Sequence, residues 1–348
     1  MSAPPRPSLV AISQGDPAGI GPEIVLKALA VAPGRAEERY VVLAERAALE
    51  AAAATLAAPP TGRLVYLAAA PTRAAVAALP PDAIAVFDPV AQRRRIELGR
   101  SGPADAHGAL ACLDAALELA LAGEADALVT APVSKASIAR HRLPGFVGHT
   151  DYLAERCGLE RYGRDYLMAF LAPDLQVALL TVHLPLRRAL AELSQEQIVD
   201  ALACLDRHAG GRIAVAGVDP HAGEEGLLGD DDQRIVTPAV ERARELGIDA
   251  HGAESADSLF ARARRDEFDW VLALYHDQGL IAVKTACFGS ATNWTLGLPV
   301  LRTSVDHGTA FAIAGRDRAD AGPLAAVLAT TQGLAAGRLP RGRRGGSG

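Results

Sequence analysis

Short apolar runs alternate along the chain with longer stretches in which apolar positions recur every three or four residues. Leu9–Ser13 precedes a glycine-rich turn and a helical pattern near 22–31, and Tyr40–Ala44 precedes an alanine-rich helical run. Arg63–Leu67 and Ala83–Phe87 have the same strand character. His107–Gly123 carries apolar residues at helical spacing and stops at a glycine, a common helix end. Ala125–Val133 reads as a buried strand running into a turn. Gln176–Leu186, Arg212–Gly223 and Phe268–Gly279 each begin as apolar runs and finish in polar residues. Between them, Ser194–Gly210 and Asp231–Gly247 are amphipathic, with polar starts and glycine ends. Alternation of this kind, with nearly continuous apolar strands, predicts an α/β fold whose largely parallel sheet is covered by helices. No internal repeat is evident.

Composition sharpens the picture at a few points. A chain of 348 residues, 50% of them hydrophobic, supports a sizeable core and more than one compact unit. A net charge of −6 gives no global basic field for nucleic acid, so no nucleic-acid partner is expected. Cys112, Cys157, Cys204 and Cys287 lie far apart without CxxC spacing and read as reduced thiols of a cytoplasmic protein. No apolar run matches a secretory signal or a membrane span, so no membrane association is expected. Among 35 basic residues only Lys27, Lys135 and Lys284 are lysines. Arginine neither releases a proton near neutrality nor presents a compact ammonium, so a lysine kept in such a composition points to lysine chemistry.

Three apolar runs end in histidine: His183 follows "VALLTV", His221 follows "IAVAGV" and His276 follows "WVLALY". The carboxyl edge of a parallel sheet is where ligands bind. Three neutral imidazoles at one edge suit Zn²⁺ or a similar divalent ion with an open position. The plain alternative is three separate residues bonded to nearby backbone. Asp277 either orients an imidazole or caps the following turn. A Ser-His-Asp hydrolase is disfavoured because no GxSxG elbow occurs.

Gly15, Gly19 and Gly21 open a helix after the first strand, spaced as GxxxGxG rather than GxGxxG or a Walker loop. Their backbone N–H groups would meet an anion, or the turn is structural with Pro22 at the first helical position. Thr150, beside His149, suits either a helix N-cap or a substrate contact. Lys284, Asn293 and Arg302 would clamp a phosphate or carboxylate, with a solvated surface role as the alternative for each.

The ordered segments "GDPAGIGPE", "GHTDYLAE", "HLPL", "DPHAGE", "YHDQGL", "NWTLGLPVLRTSVDHGTA" and "AGRDRAD" resemble the 4-hydroxythreonine-4-phosphate dehydrogenase family from about Ser13 to Gly322. "GIGPE" and "HGTAFAIAGRDRADAG" also resemble the isocitrate and isopropylmalate dehydrogenases, which bind nicotinamide cofactors without a Rossmann fingerprint. The resemblance implies two α/β/α domains, with the active site in the interdomain cleft near the interface of a homodimer. It implies a first domain built from both chain ends (1–130 plus 290–335), a second domain over 131–289 with dimer contacts, and a disordered tail at 336–348.

The same resemblance implies a divalent metal (Zn, or Mg, Co or Mn) on His183, His221 and His276. It implies substrate contacts from His149, Thr150, Lys284, Asn293 and Arg302, and a cofactor loop of His307, Gly308 and Thr309 for NAD or NADP. Lys284 and Asp257 are the candidates for proton transfer. The implied reaction is oxidation of 4-phosphohydroxy-L-threonine at C3 followed by decarboxylation to 3-amino-2-oxopropyl phosphate, in pyridoxal phosphate biosynthesis. "GAESADSLF" keeps Ala256 and Asp257 but lacks two prolines usual in the family, and "GSATNW" surrounds Asn293 differently. Both changes bear on substrate identity. Relatives acting on 4-phospho-D-threonate or erythronate, or on a cis-diol dicarboxylate, are therefore alternatives. A three-histidine metal aldolase or hydrolase without redox chemistry is the alternative of another class.

Overall fold

The computed structural model describes residues 7–31, 38–287 and 289–338. Residues 339–348 of the expected tail lie outside the described residues, and helix twelve ends just before it at Ala335. The strands, numbered in chain order, are β1 (Ser8–Ser13), β2 (Glu38–Leu43), β3 (Leu64–Tyr66), β4 (Ile84–Phe87), β5 (Ala127–Thr130), β6 (Leu167–Leu171), β7 (Gln176–Leu179), β8 (Ile213–Ala216), β9 (Ala250–Glu254), β10 (Trp270–Ala273), β11 (Thr292–Leu296) and β12 (Leu301–Ser304). The helices are α1 (Gly21–Val31), α2 (Arg46–Ala53), α3 (Arg73–Ala77), α4 (Pro103–Leu121), α5 (Lys135–His141), α6 (His149–Arg156), α7 (Leu186–Ala191), α8 (Gln195–His208), α9 (Thr237–Glu245), α10 (Ala256–Ala263), α11 (His276–Ala286) and α12 (Gly322–Ala335).

The chain divides into two compact units: 1–153 with 299–338, and 154–298. In the first, six parallel strands run in the order β3-β4-β2-β1-β5-β12. Alternate residues of a strand point to opposite faces. Leu9 and Ala11 are as fully buried as Val10 and Ile12, so helices must cover both faces of the sheet. Val10, Ile12 and Val129 pack with Ile24 and Leu29 of α1 and with Leu324 and Val327 of α12. Gly15, at φ 76°, stands where a Cβ would meet the Pro132 carbonyl oxygen at 2.3 Å. The glycine-rich turn is thereby held against the loop that follows β5.

The second unit runs β11-β6-β7-β10-β8-β9. Strands β7, β10, β8 and β9 are parallel, whereas β6 is antiparallel to both β7 and β11. Strand β6, "LMAFL", is too short and uniformly apolar to show a period of its own; it forms a hairpin with β7 closed by Ala172 N–H donating to the Leu175 carbonyl at 2.9 Å. Val177, Leu179, Val271 and Ala273 pack with Leu259 of α10 and with Leu280 and Val283 of α11. The stretch after "YHDQG" is helical, since α11 begins at His276 itself. Gly279 allows this. A Cβ there would lie 2.6 Å from Leu179 Cδ2 and 2.9 Å from Val177 Cγ1, so only a glycine lets the helix lie so close to the sheet.

Candidate active site

Two groups of polar side chains stand out, one in each unit. In the first unit, Arg302 on β12 is only 2% exposed. Strand β12 lies beside β5, which brings Arg302 to Thr130: Nη2 donates to Thr130 Oγ1 at 2.6 Å. Nη1 points to Thr150 Oγ1 at 3.4 Å. These hydroxyls satisfy donors without neutralising charge. Burial strips water from the guanidinium and pushes the Arg302 pKa down to about 9, which still leaves it protonated at neutral pH. Thr150 is the second residue of α6, so it does not cap the helix, and its hydroxyl faces the arginine instead.

His149 begins α6. The residue is partly exposed, yet its Nε2 is buried and has no hydrogen-bond partner among the described residues. Burial, then the charges of Arg302 and Lys135, hold its pKa well below the usual imidazole value. The ring is neutral at pH 7, with one nitrogen ready to meet a ligand. A buried fork, a neutral imidazole and a nearby ammonium together have the donor chemistry of a candidate anion site.

His307, Gly308 and Thr309 lie in the loop after β12 and pack on the glycine-rich turn. Ile20 N–H donates to the Thr309 carbonyl at 3.0 Å, and a Cβ on Gly19 would meet Thr309 Cβ at 3.1 Å. His307 Nε2 is buried without a partner among the described residues, and the space beside Gly308 is open. An orphaned donor-acceptor beside an open backbone fits a polar cofactor moiety.

In the second unit, β7, β10 and β8 are adjacent and parallel, so the residues that follow them share one edge of the sheet. His183 and His276 are brought together there, with ring centroids 5.9 Å apart. His276 Nδ1 lies 2.7 Å from Asp277 Oδ1, which orients the ring and leaves Nε2 as the nitrogen on offer to a ligand. His221 is held differently. It opens a left-handed turn, His221–Glu225, in which all five residues have φ between 43° and 80°. Four of them are not glycine, and each costs about 1–2 kcal/mol in that conformation. Asp232, fully buried, holds the segment before it by accepting from Val218 N–H and Asp219 N–H, each at 2.9 Å. His221 Nδ1 stands 3.8 Å from Asp257 Oδ2. Ser255 chiefly, and His221, lower the Asp257 pKa, so it is a carboxylate at neutral pH. Among the described residues, no group of three or more His, Cys, Asp or Glu side chains is gathered as a metal site. The His183–His276 pair has the donor chemistry for two positions of a divalent ion; His221 is not gathered with it.

A sequence model described as pyridoxal phosphate biosynthetic protein PdxA matches residues 36–331. The chain belongs to this family. It is 43% identical to a 4-hydroxythreonine-4-phosphate dehydrogenase of Burkholderia vietnamiensis, over 94% of this chain and 96% of that one. It is 39% identical to the D-threonate 4-phosphate dehydrogenase of Salmonella typhimurium, over 94% and 98% of the two chains. Among solved structures, the 4-hydroxythreonine-4-phosphate dehydrogenase of Klebsiella pneumoniae matches with a TM-score of 0.84 at 35% identity, covering 94% of this chain and 98% of that chain. The expected family, the α/β fold with its mostly parallel strands, and a dehydrogenase of this family are thus borne out.

In this PdxA-family chain the remaining candidates are spread out. Asn293 lies on β11, its Oδ1 buried without a partner among the described residues. Lys284 is exposed on α11, eight residues beyond His276. That is about 12 Å along a helix axis, so the two do not share one spot on this helix. Two residues carry more than their sequence context suggested. Gln278 accepts from Leu274 N–H at 2.7 Å and donates to the Gly217 carbonyl at 2.8 Å, tying the ends of β10 and β8 together. Lys135 stands beside Gly148 and His149; its only sequence signal was its rarity as a lysine.

Proposed function

We propose that the protein oxidises 4-phosphohydroxy-L-threonine at C3 with NAD or NADP, and that the product loses CO₂ to give 3-amino-2-oxopropyl phosphate, a step of pyridoxal phosphate biosynthesis. The observation that carries this reading is the buried Arg302 beside the neutral His149, an anion site within a chain of the PdxA family. Arg302 offers a planar fork to phosphate or carboxylate oxygens, and Thr150 holds that fork in place. His149 Nε2 donates or accepts one further hydrogen bond without adding charge. Asn293 Oδ1 is a second polar contact for the substrate, and Lys284 either holds its charge or moves a proton.

His183 and His276 would hold a divalent ion, with His221 as third donor after a shift of its turn; the chemistry that ion would supply is Lewis-acid polarisation of the substrate hydroxyl, and the His307–Thr309 loop would hold the nicotinamide as hydride acceptor. Asp277 orients His276, and Gln278 holds the two strand ends that carry His221 and His276. Asp257, held ionised, accepts a proton or fixes the His221 ring. The exposed Leu186, Leu190, Leu227, Leu228 and Ile281, all in the second unit, support a homodimer. The four free cysteines are consistent with a cytoplasmic protein, and no helix among the described residues is long and apolar enough to cross a membrane.

A second reading, D-threonate 4-phosphate as substrate, is favoured by the 39% identity to the Salmonella enzyme. Both substrates carry a phosphate ester that Arg302 would hold equally, and they differ at C2, amine against hydroxyl. Reduced nicotinamide absorbance with each phosphorylated substrate, with and without a chelator, tests the assignment. Faster turnover of the threonate overturns the first substrate. No redox turnover of any phosphorylated hydroxy acid overturns the dehydrogenase reading itself.

A further inference from the structure

We propose that Lys135 is a further anion-binding residue of the Arg302 site, supplying the second positive charge that selects a dianionic phosphate ester. The proposal rests on the phosphorylated-substrate reading and adds a residue to it. Ser134 caps α5 by accepting from Ser137 N–H at 3.2 Å, which fixes Lys135 as the first residue of that helix, after the short loop that follows the β5 end holding Arg302 through Thr130. From there its side chain reaches the start of α6. Cε and Nζ lie 3.2 and 3.3 Å from where a Cβ on Gly148 would stand, so the ammonium rests over the residue before His149. The missing side chain at Gly148 is what leaves it that room.

Three further facts separate Lys135 from an ordinary surface lysine. Among the described residues no hydrogen bond or ion pair engages it. Lys27, by contrast, is neutralised by Glu23 and Asp317, each at 2.8 Å. The charge of Lys135 reaches His149, where with that of Arg302 it opposes protonation of the ring. Lysine is also kept at this position in a chain that otherwise uses arginine for nearly all of its 35 basic residues. A phosphate monoester carries roughly −1.5 to −2 charges at pH 7. One buried guanidinium leaves much of that uncompensated, and a compact, hydrated ammonium at the exposed side of the site matches the remainder.

The test uses the full chain as wild type, Lys135→Met and Lys135→Arg, with circular dichroism confirming the fold. Inorganic phosphate is titrated by calorimetry, and KM and kcat are measured with 4-phosphohydroxythreonine. Lys135→Met is expected to weaken phosphate binding and raise KM about tenfold, the effect of one charge-assisted hydrogen bond, with kcat little changed. Lys135→Arg should recover part of the loss, and the His149 titration followed by NMR should move upward in Lys135→Met. Wild-type turnover with unchanged phosphate affinity and KM in Lys135→Met overturns the role of Lys135 alone. Failure of the wild type to bind phosphate or turn over any phosphorylated substrate overturns the underlying reading and this proposal with it.

Discussion

His149→Gln should change how the stability of the protein depends on pH. In the folded chain, burial first and then the charges of Arg302 and Lys135 keep the imidazole neutral. In the unfolded chain the ring titrates near the ordinary value of about 6.5. Below that pH the unfolded state binds a proton that the folded state refuses, so folding stability falls as pH falls. Above it both states are neutral and the contribution is constant. Between pH 7.5 and 5.5 the unfolded histidine goes from roughly 10% to roughly 90% protonated, which corresponds to about 1.4 kcal/mol of lost stability. Glutamine does not titrate, so the difference between the two proteins isolates this one residue from the other eight histidines. Urea unfolding at matched pH values, in buffers without phosphate, measures it. Wild-type and variant curves that run parallel over this range would refute the idea that His149 is held neutral by its surroundings.

Gln278→Met keeps the side-chain length but removes the acceptor for Leu274 N–H and the donor to the Gly217 carbonyl, and should cost about 2–4 kcal/mol in urea unfolding. An unchanged midpoint would mean that water replaces both bonds. Gly279→Ala places a Cβ 2.6 Å from Leu179 Cδ2 and 3.0 Å from Ala273 Cβ, and should cost roughly 1–3 kcal/mol through displacement of α11, read as a lower Tm. His276→Ala should abolish binding of a divalent ion, measured as metal content after dialysis; unchanged content would rule out the histidine pair. Leu227→Arg combined with Ile281→Glu, at positions 80% and 65% exposed, should shift the mass measured by light scattering from dimer to monomer, and a wild type that is already monomeric would remove the dimer from the account.

Much of the architecture was legible because it is local. Buried strands such as "LVAIS" and "WVLA" announce themselves by their apolar content, and helices such as α8 by their period and their serine cap. The three histidines at strand ends were visible for the same reason, since each follows its own apolar run. Strand β6 and helix α11 were not. The first is short and evenly apolar, and the second begins inside what reads as a turn, because its glycine serves a close approach to β7 rather than a chain reversal.

The sequence by itself determined most of the alternation of strands and helices, the family, and which residue types stand at the ends of the strands it revealed. These follow from periodicity and from motifs a few residues long. Tertiary structure decided which of those residues meet. Arg302 finds Thr150 and Thr130 at separations of 152 and 172 residues; the pairing of β12 with β5 brings Thr130 to it, and the start of α6 brings Thr150. That same convergence buries a cation, keeps His149 neutral and gives Lys135 its setting, none of which local pattern encodes. In the second unit, parallel pairing of β7 with β10 unites His183 with His276, while a left-handed turn clamped by Asp232 sends His221 toward Asp257 instead. Local pattern specifies what a residue can do chemically; charge, burial and orientation are properties of neighbours, and in this fold the neighbours come from distant parts of the chain.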